Sequence, residues 1–152
     1  MKIRYEQGDL LASPQRVKCH GANALGVMGS GVALQIKKKW PNVFEIYQLR
    51  HQTFGLKLGE IIPVYTTDGF LILNCVTQQN TGTHQRQVDY AAVETIFQQI
   101  NDKVLDWEVS EVAMPRIGAG LAGGDWNIIS EIIERTATNY TPVVWDYVPA
   151  TQ

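Results

Sequence analysis

Apolar and polar positions alternate at the start of the chain. In "KIRYEQGDLL", Ile3 and Tyr5 stand against Lys2 and Arg4, which predicts a strand. "VKCHGAN" predicts a second short strand, from Val17 to about Gly21. The period then becomes helical: Ala33, Ile36 and Trp40 fall on one face, with Lys37 and Lys38 elsewhere. Pro41 interrupts that helix, and another helical stretch runs from Pro41 to His51. "GEIIPVY" and "GFLILNCV" predict two strands joined by a tight turn at "TTDG". Asp89 to about Val104 is helical, with Ala92, Ile96, Gln99, Ile100 and Val104 near helical spacing. "EVAMP" is a buried strand. "DWNIISEIIERTATNY" opens with Asp125 at a cap-like place and carries Ile128, Ile129, Ile132 and Ile133 on one stripe. "TPVVWDYV" closes as a strand.

Strands and helices thus alternate without repeats, linkers or low-complexity segments. That order predicts an α/β domain of three layers, a central mixed sheet with helices on both faces. Its 152 residues suit one domain spanning 1–152. Ligands of such sheets bind outside the carboxyl ends of strands.

Two segments fall outside the periodic pattern, and both are rich in glycine. "GANALGVMGSGV" follows the second strand, and Gly29-Ser30-Gly31-Val32 leads straight into a helix. The free amides and positive dipole of that N-terminus suit a phosphate. The spacing of Gly26, Gly29 and Gly31 is not G-x-G-x-x-G, and no G-K-[ST] follows, so neither dinucleotide fingerprint nor P-loop is present. "MPRIGAGLAGGDW" repeats the arrangement, with Gly118, Gly120, Gly123 and Gly124 between a buried strand and a helix. Two such joints make a pair of walls around a diphosphate.

Charge narrows the ligand class. The net charge is −2, which gives no basic footprint, so nucleic acid is not expected as a partner. A small nucleotide remains open, because main-chain amides hold phosphate without lysines. Cys19 and Cys75 lie in apolar runs outside any C-x-x-C and are expected to be buried free thiols. "MKIRYEQGDL" has no apolar leader segment and no run reaches the ~20 residues that span a bilayer, so a cytoplasmic protein without membrane contact is expected. No His, Cys or carboxylate cluster has ligand spacing, so neither metal nor cofactor is expected.

Together "QGDLL" (Gln7 to Leu11), "GANALGVMGSGVALQI" (Gly21 to Ile36) and "MPRIGAGLAGGDW" (Met114 to Trp126), in this order of elements, resemble the macro domain family, which binds ADP-ribose. The resemblance implies a single macro domain over 1–152 and a role for each matching position. Asp9, with the Leu10 backbone, would accept from the adenine amino group, unless it only caps a turn. Asn23 would bond the distal ribose, or act as a turn residue. Gly29, Ser30, Gly31 and Val32 would line that ribose and one phosphate. Gly118, Ala119, Gly120, Leu121 and Ala122 would hold the diphosphate. Trp145 is similar in place to an aromatic that packs on adenine, with core packing as the other reading.

Departures from the family pattern sort the activities it implies. One hydrolase branch uses a lysine after the fourth strand and an aspartate after "GL"; here those places look like Gln78 and Ala122. "HGANALG" resembles instead the branch that removes phosphate from ADP-ribose 1''-phosphate, with a histidine three residues before the asparagine. The resemblance therefore implies such a phosphatase, with His20, Asn23 and Asp125 as its catalytic residues. Core histidine and N-cap aspartate stay open for His20 and Asp125. His84 lies in the polar segment from Gln78 to Asp89, expected to be a mobile loop able to cover the distal ribose. A reader that binds ADP-ribose without turnover, or a hydrolase acting on ADP-ribosylated protein or nucleic acid, are the alternatives.

Overall fold

The structure, a computed structural model, describes residues 1–82 and 84–147. Its strands are β1 (Arg4–Gln7), β2 (Val17–Asn23), β3 (Ile61–Tyr65), β4 (Leu71–Gln78), β5 (Glu111–Met114) and β6 (Thr141–Asp146). Its helices are α1 (Gly31–Lys39), α2 (Pro41–Phe54), α3 (Tyr90–Trp107) and α4 (Trp126–Thr136), and a 3-10 turn covers Leu10–Ala12. The strands form one sheet in the order β1-β6-β5-β2-β4-β3. Every pairing is parallel except β3 with β4. The mixed sheet and the hairpin around "TTDG" match the sequence expectation. β3 carries Pro63, which lacks a ladder donor and suits the edge position the strand occupies.

Each face of the sheet carries its own apolar layer. Val17, Cys19, Leu73, Cys75, Met114 and Val144 meet Val93, Ile96, Phe97 and Ile100 of α3 and Ile129, Ile132 and Ile133 of α4. Ala22, Ile72, Val76 and Ala113 meet Ile36 of α1 and Val43 and Tyr47 of α2. β4 is buried along both faces, so Leu71 to Val76 is apolar at every position but Asn74 rather than an alternation. Cys19 and Cys75 are buried free thiols.

Several boundaries move. β2 continues to Asn23 rather than stopping near Gly21, and its pairing with β4 slips by one residue between Ala22 and Asn23. Such irregularities re-aim a side chain at a sheet rim, here Asn23. The first strand ends at Gln7, and the chain turns at Gly8, where φ is +142°. Ile128 leaves the predicted stripe and is exposed, whereas Ile129, Ile132 and Ile133 are buried. Gln99 faces the rim, where its side chain donates to the Gly59 carbonyl. Val148, at the end of the expected last strand, lies outside the described residues.

Candidate functional site

β2 and β5 are parallel neighbours at the centre of the sheet, so the loops leaving their carboxyl ends emerge side by side. These are the two glycine loops. They touch: a Cβ added at Gly31 would lie 3.2 Å from Leu121 Cδ1. At Gly29 and Gly120 an added Cβ would meet nothing within 4 Å, so both backbones face open space.

The second loop is closed by Gly124 N–H donating to the Gly118 carbonyl at 2.8 Å, with Gly118 in the left-handed region at φ +78°. Within it, Ala119 N donates to Arg116 O and Gly123 N to Gly120 O. Among the described residues, the amides of Gly118, Gly120, Leu121 and Ala122 have no protein acceptor. In the first loop Ser30 occupies the N-cap of α1 without a side-chain capping bond. The amides of Gly31, Val32 and Ala33 are likewise unmet, and Leu34 N is the first to bond, to Ser30 O at 3.3 Å. Two adjoining clusters of orphan donors, one at a helix N-terminus, have the chemistry that suits an anion. The only cation of the second loop, Arg116, is bonded to Asp146 at 2.8 and 3.0 Å and stacks near Tyr5 and Trp126.

Asn23 shapes the first loop from within. Its Oδ1 accepts from Leu25 N (3.0 Å) and Val27 N (3.4 Å), and its Nδ2 donates to Val27 O at 3.0 Å. The hydroxyl of Tyr47, on α2, reaches both Asn23 O and Asn23 Oδ1. Burial pushes that phenol up to about 12. One amide hydrogen of Asn23 stays uncommitted. The turn role and the placement at the groove therefore coexist in one residue.

The residues expected at the adenine end lie at the carboxyl ends of β1 and β6. Asp9 caps the 3-10 turn by accepting from Leu11 N at 2.9 Å, and its other oxygen has no partner among the described residues. Leu10 is buried behind it. Trp145 is half-buried with its ring against Gly8, where an added Cβ would lie 3.2 Å away. Its indole N–H donates to Gln15 Oε1 at 3.0 Å. β1 pairs with β6 in register Glu6 to Trp145, which is why these residues meet.

For His20 the structure favours the core position that the sequence left open. It is 1% exposed on the face of β2 that α1 and α2 cover. Asn74 Nδ2 donates to Ile62 O, which turns Asn74 Oδ1 toward His20 Nε2 at 2.6 Å. Nε2 therefore carries the proton, and Nδ1 has no partner. Desolvation holds the ring below the usual histidine range, against the smaller opposing pull of Asn74 and the Gly21 backbone. It is a neutral core histidine without access to the groove. The sign of its linkage follows: the unfolded chain binds a proton below pH ~6.5 that the folded chain refuses. Stability is thus complete above ~6.5 and is lost as the pH falls below it. Thermal melts of wild type and His20→Gln from pH 7 to 5 are expected to diverge, with wild type losing more; parallel curves refute the burial.

Asp125 caps α4 by accepting from Asn127 N at 2.9 Å and is exposed at the end of the second loop. The two ends of the Gln78–Asp89 segment are held: Gln87 N and Val88 N donate to Ala122 O, Asp89 N to Thr77 O, and Gln78 bridges Val88. His84 is exposed on it. The Gln78 side-chain amide donates to Asn80 O, and Ala122 is buried, so neither supplies a nucleophile. A cleft of about 400 Å³ lined by Gln79, Arg86, Val88, Asp89 and Tyr90 flanks the site outside both glycine loops, and sequence patterning gave no sign of it. Among the described residues, no helix is long and apolar enough to cross a membrane.

A sequence profile of the Macro domain matches residues 19–133. The chain is 30% identical over 156 residues to an uncharacterized 17.5 kDa protein in the tk-vs intergenic region of Enterobacteria phage T4, covering 98% of this chain and 99% of that one. It is 28% identical to a DNA ADP-ribosyl glycohydrolase of Thermus aquaticus, covering 97% of this chain but 41% of the relative. An ADP-ribose 1''-phosphate phosphatase of Candida glabrata is 27% identical, with coverages of 88% and 92%. The macrodomain of Mycobacterium tuberculosis DarG superposes with a TM-score of 0.82 at 25% identity, covering 97% of this chain and 98% of that one. The profile match begins within β2 and takes in both glycine loops, and the fold agrees: this chain belongs to the Macro domain family.

Proposed function

We propose that the groove binds ADP-ribose and that the chain hydrolyses ADP-ribose 1''-phosphate to ADP-ribose and inorganic phosphate. The observation that carries this reading is the pair of separate amide clusters, four donors in the second loop and three at the start of α1. A ligand with a diphosphate and a second anionic group on its distal ribose uses both. The named activity of the Candida glabrata relative supports the same substrate.

Hydrolysis at such a site is attack of water on the terminal phosphorus, with cleavage of the bond to the ribose oxygen. Main-chain amides and the α1 dipole stabilise the charge that grows on the phosphoryl oxygens. Asn23, through its uncommitted amide hydrogen, orients the ribose. The second oxygen of Asp125 accepts a proton from the water. With His20 in the core, Asp125 is the remaining side chain suited to that task. Phosphate release from ADP-ribose 1''-phosphate is expected to fall roughly 100-fold or more in Asp125→Asn, the scale of general-base catalysis, with ADP-ribose affinity changed less than about threefold. Release by wild type no faster than by a heat-treated sample sinks the phosphatase reading.

Two observations favour a second reading, a module that binds without turnover: Asn23 is engaged within its loop and Asp125 at its cap. Calorimetry with ADP-ribose on the same sample separates the two. The Thermus aquaticus relative acts on DNA by its name, but Gln78 stands where a lysine is expected for that chemistry.

A further inference from the structure

Lys18 is 2% exposed, and its ammonium has no carboxylate partner among the described residues. It donates to Ser13 O at 2.7 Å, Ser13 Oγ at 2.6 Å and Gln15 O at 2.8 Å, and lies 4.5 Å from the Phe70 ring centroid. A buried charge without a counter-ion is costly and is tolerated only where several acceptors surround it. Those acceptors belong to the segment that builds one end of the groove. Ser13 Oγ donates to Leu10 O at 2.6 Å, and Ser13 N to the same oxygen at 3.1 Å, in the turn that Asp9 caps. Gln15, itself 7% exposed, accepts from Trp145 Nε1 and donates to Glu111 Oε1, both at 3.0 Å. One ammonium therefore ties the Asp9–Leu10 turn and the Trp145 ring to the same strand, β2, whose far end carries Asn23.

We propose that Lys18 is a positioning residue that fixes the Asp9–Trp145 end of the groove and so sets its preference for a ligand bearing adenine over the bare sugar phosphate. This rests on the ADP-ribose reading above. Lys18 touches no ligand; it acts through Ser13 and Gln15. The charged and titratable groups around it are Lys39 at the end of α1, Asp9, Asp68 in the β3–β4 turn, Glu111 through Gln15, and the neutral His20 on the same face. Burial, aided by the Lys39 charge and opposed by Asp9 and Asp68, brings Lys18 down to about 8. The ammonium has three donors and the amine two. The protonated form holds the wall better, so the preference is full below about 8 and declines as the pH rises through it.

The test measures binding of ADP-ribose and of ribose 5-phosphate, which lacks the adenylate half, at pH 7 and pH 9. Wild type, Lys18→Met and Ser13→Ala are compared. In wild type the ratio of the two affinities is expected to fall by roughly 5-fold from pH 7 to pH 9, about the worth of one buried hydrogen bond. In Lys18→Met it is expected to be at least ~10-fold lower at pH 7 and independent of pH. Ser13→Ala falls between. A variant that merely loosened the fold would weaken both ligands alike; that outcome, or a ratio unmoved by pH and by both variants, overturns the role of Lys18. Should Lys18→Met not fold, the wild-type pH comparison and Ser13→Ala decide. Wild type that binds neither ligand refutes the ADP-ribose reading itself and the inference with it.

Discussion

A single methyl group on Gly124 is expected to abolish ADP-ribose binding. The added Cβ would lie 2.6 Å from the Gly118 carbonyl oxygen, 2.6 Å from Val88 Cγ1 and 2.9 Å from Ile129 Cδ1. A flexible side chain can yield, but a backbone oxygen moves only with its loop. Here that oxygen also accepts the bond that closes the loop, from Gly124 N. Opening it swings away the amides of Gly118, Gly120, Leu121 and Ala122 together. Each bond from such an amide to a charged phosphate is worth roughly 1.5–3 kcal/mol, so losing two costs about 3 kcal/mol or more, a hundredfold or greater loss of affinity. Overpacking adds about 1–3 kcal/mol of destabilisation. Calorimetric titration of a Gly124→Ala sample with a wild-type circular dichroism spectrum reads this directly. Affinity within threefold of wild type would remove the second loop from the site.

Asn23→Ala carries the second large effect, on stability and binding at once. The amide supplies the β2–α1 loop with bonds to Leu25 N, Val27 N and Val27 O and accepts from the Tyr47 hydroxyl. Truncation leaves those groups to water or to nothing. At about 1 kcal/mol for each of two bonds lost outright, the cost is ~2 kcal/mol. For a domain of this size that is roughly 4–8 °C in Tm. ADP-ribose affinity is expected to fall about 10- to 100-fold, because the loop loses its shape and the ribose a donor. Tyr47→Phe separates the contributions: it removes the hydroxyl that steadies Asn23 and leaves the ribose donor in place. It should lower Tm by a few degrees with a smaller loss of affinity. Asn23→Ala that melts like wild type, or binds like it, refutes the corresponding half of the prediction.

The order of elements was legible because each carries its own period. Ile96 and Ile100 repeat at helical spacing and are buried in α3; Leu71 to Val76, apolar but for Asn74, is buried on both faces of β4. The two loops announced themselves through glycines that neither period explains. For His20 the sequence left a catalytic and a core reading open, and the structure favours the core. Its place in "HGAN" fits a site motif, yet its side chain sits on the covered face, with Asn74 directly opposite on the neighbouring strand and 54 residues away in sequence. Nothing local marks that, since a strand of seven residues with every second side chain on each face looks alike from either side. Ile128 was also assigned to the buried stripe and is exposed.

By itself the sequence determined the secondary structure, the α/β class and the two flexible joints, because propensity and periodicity act between residues close along the chain. Only the tertiary structure decided which main-chain amides are left without partners, that Leu121 of one loop meets Gly31 of the other, that His20 is sealed in the core, and that Lys18 is buried beneath the Asp9 turn. Those outcomes depend on the strand order β5-β2-β4 and on the helices laid over it, which bring together groups dozens of residues apart. Burial, and with it the strength of every charge and hydrogen bond at the site, is a property of that assembly and of no segment alone.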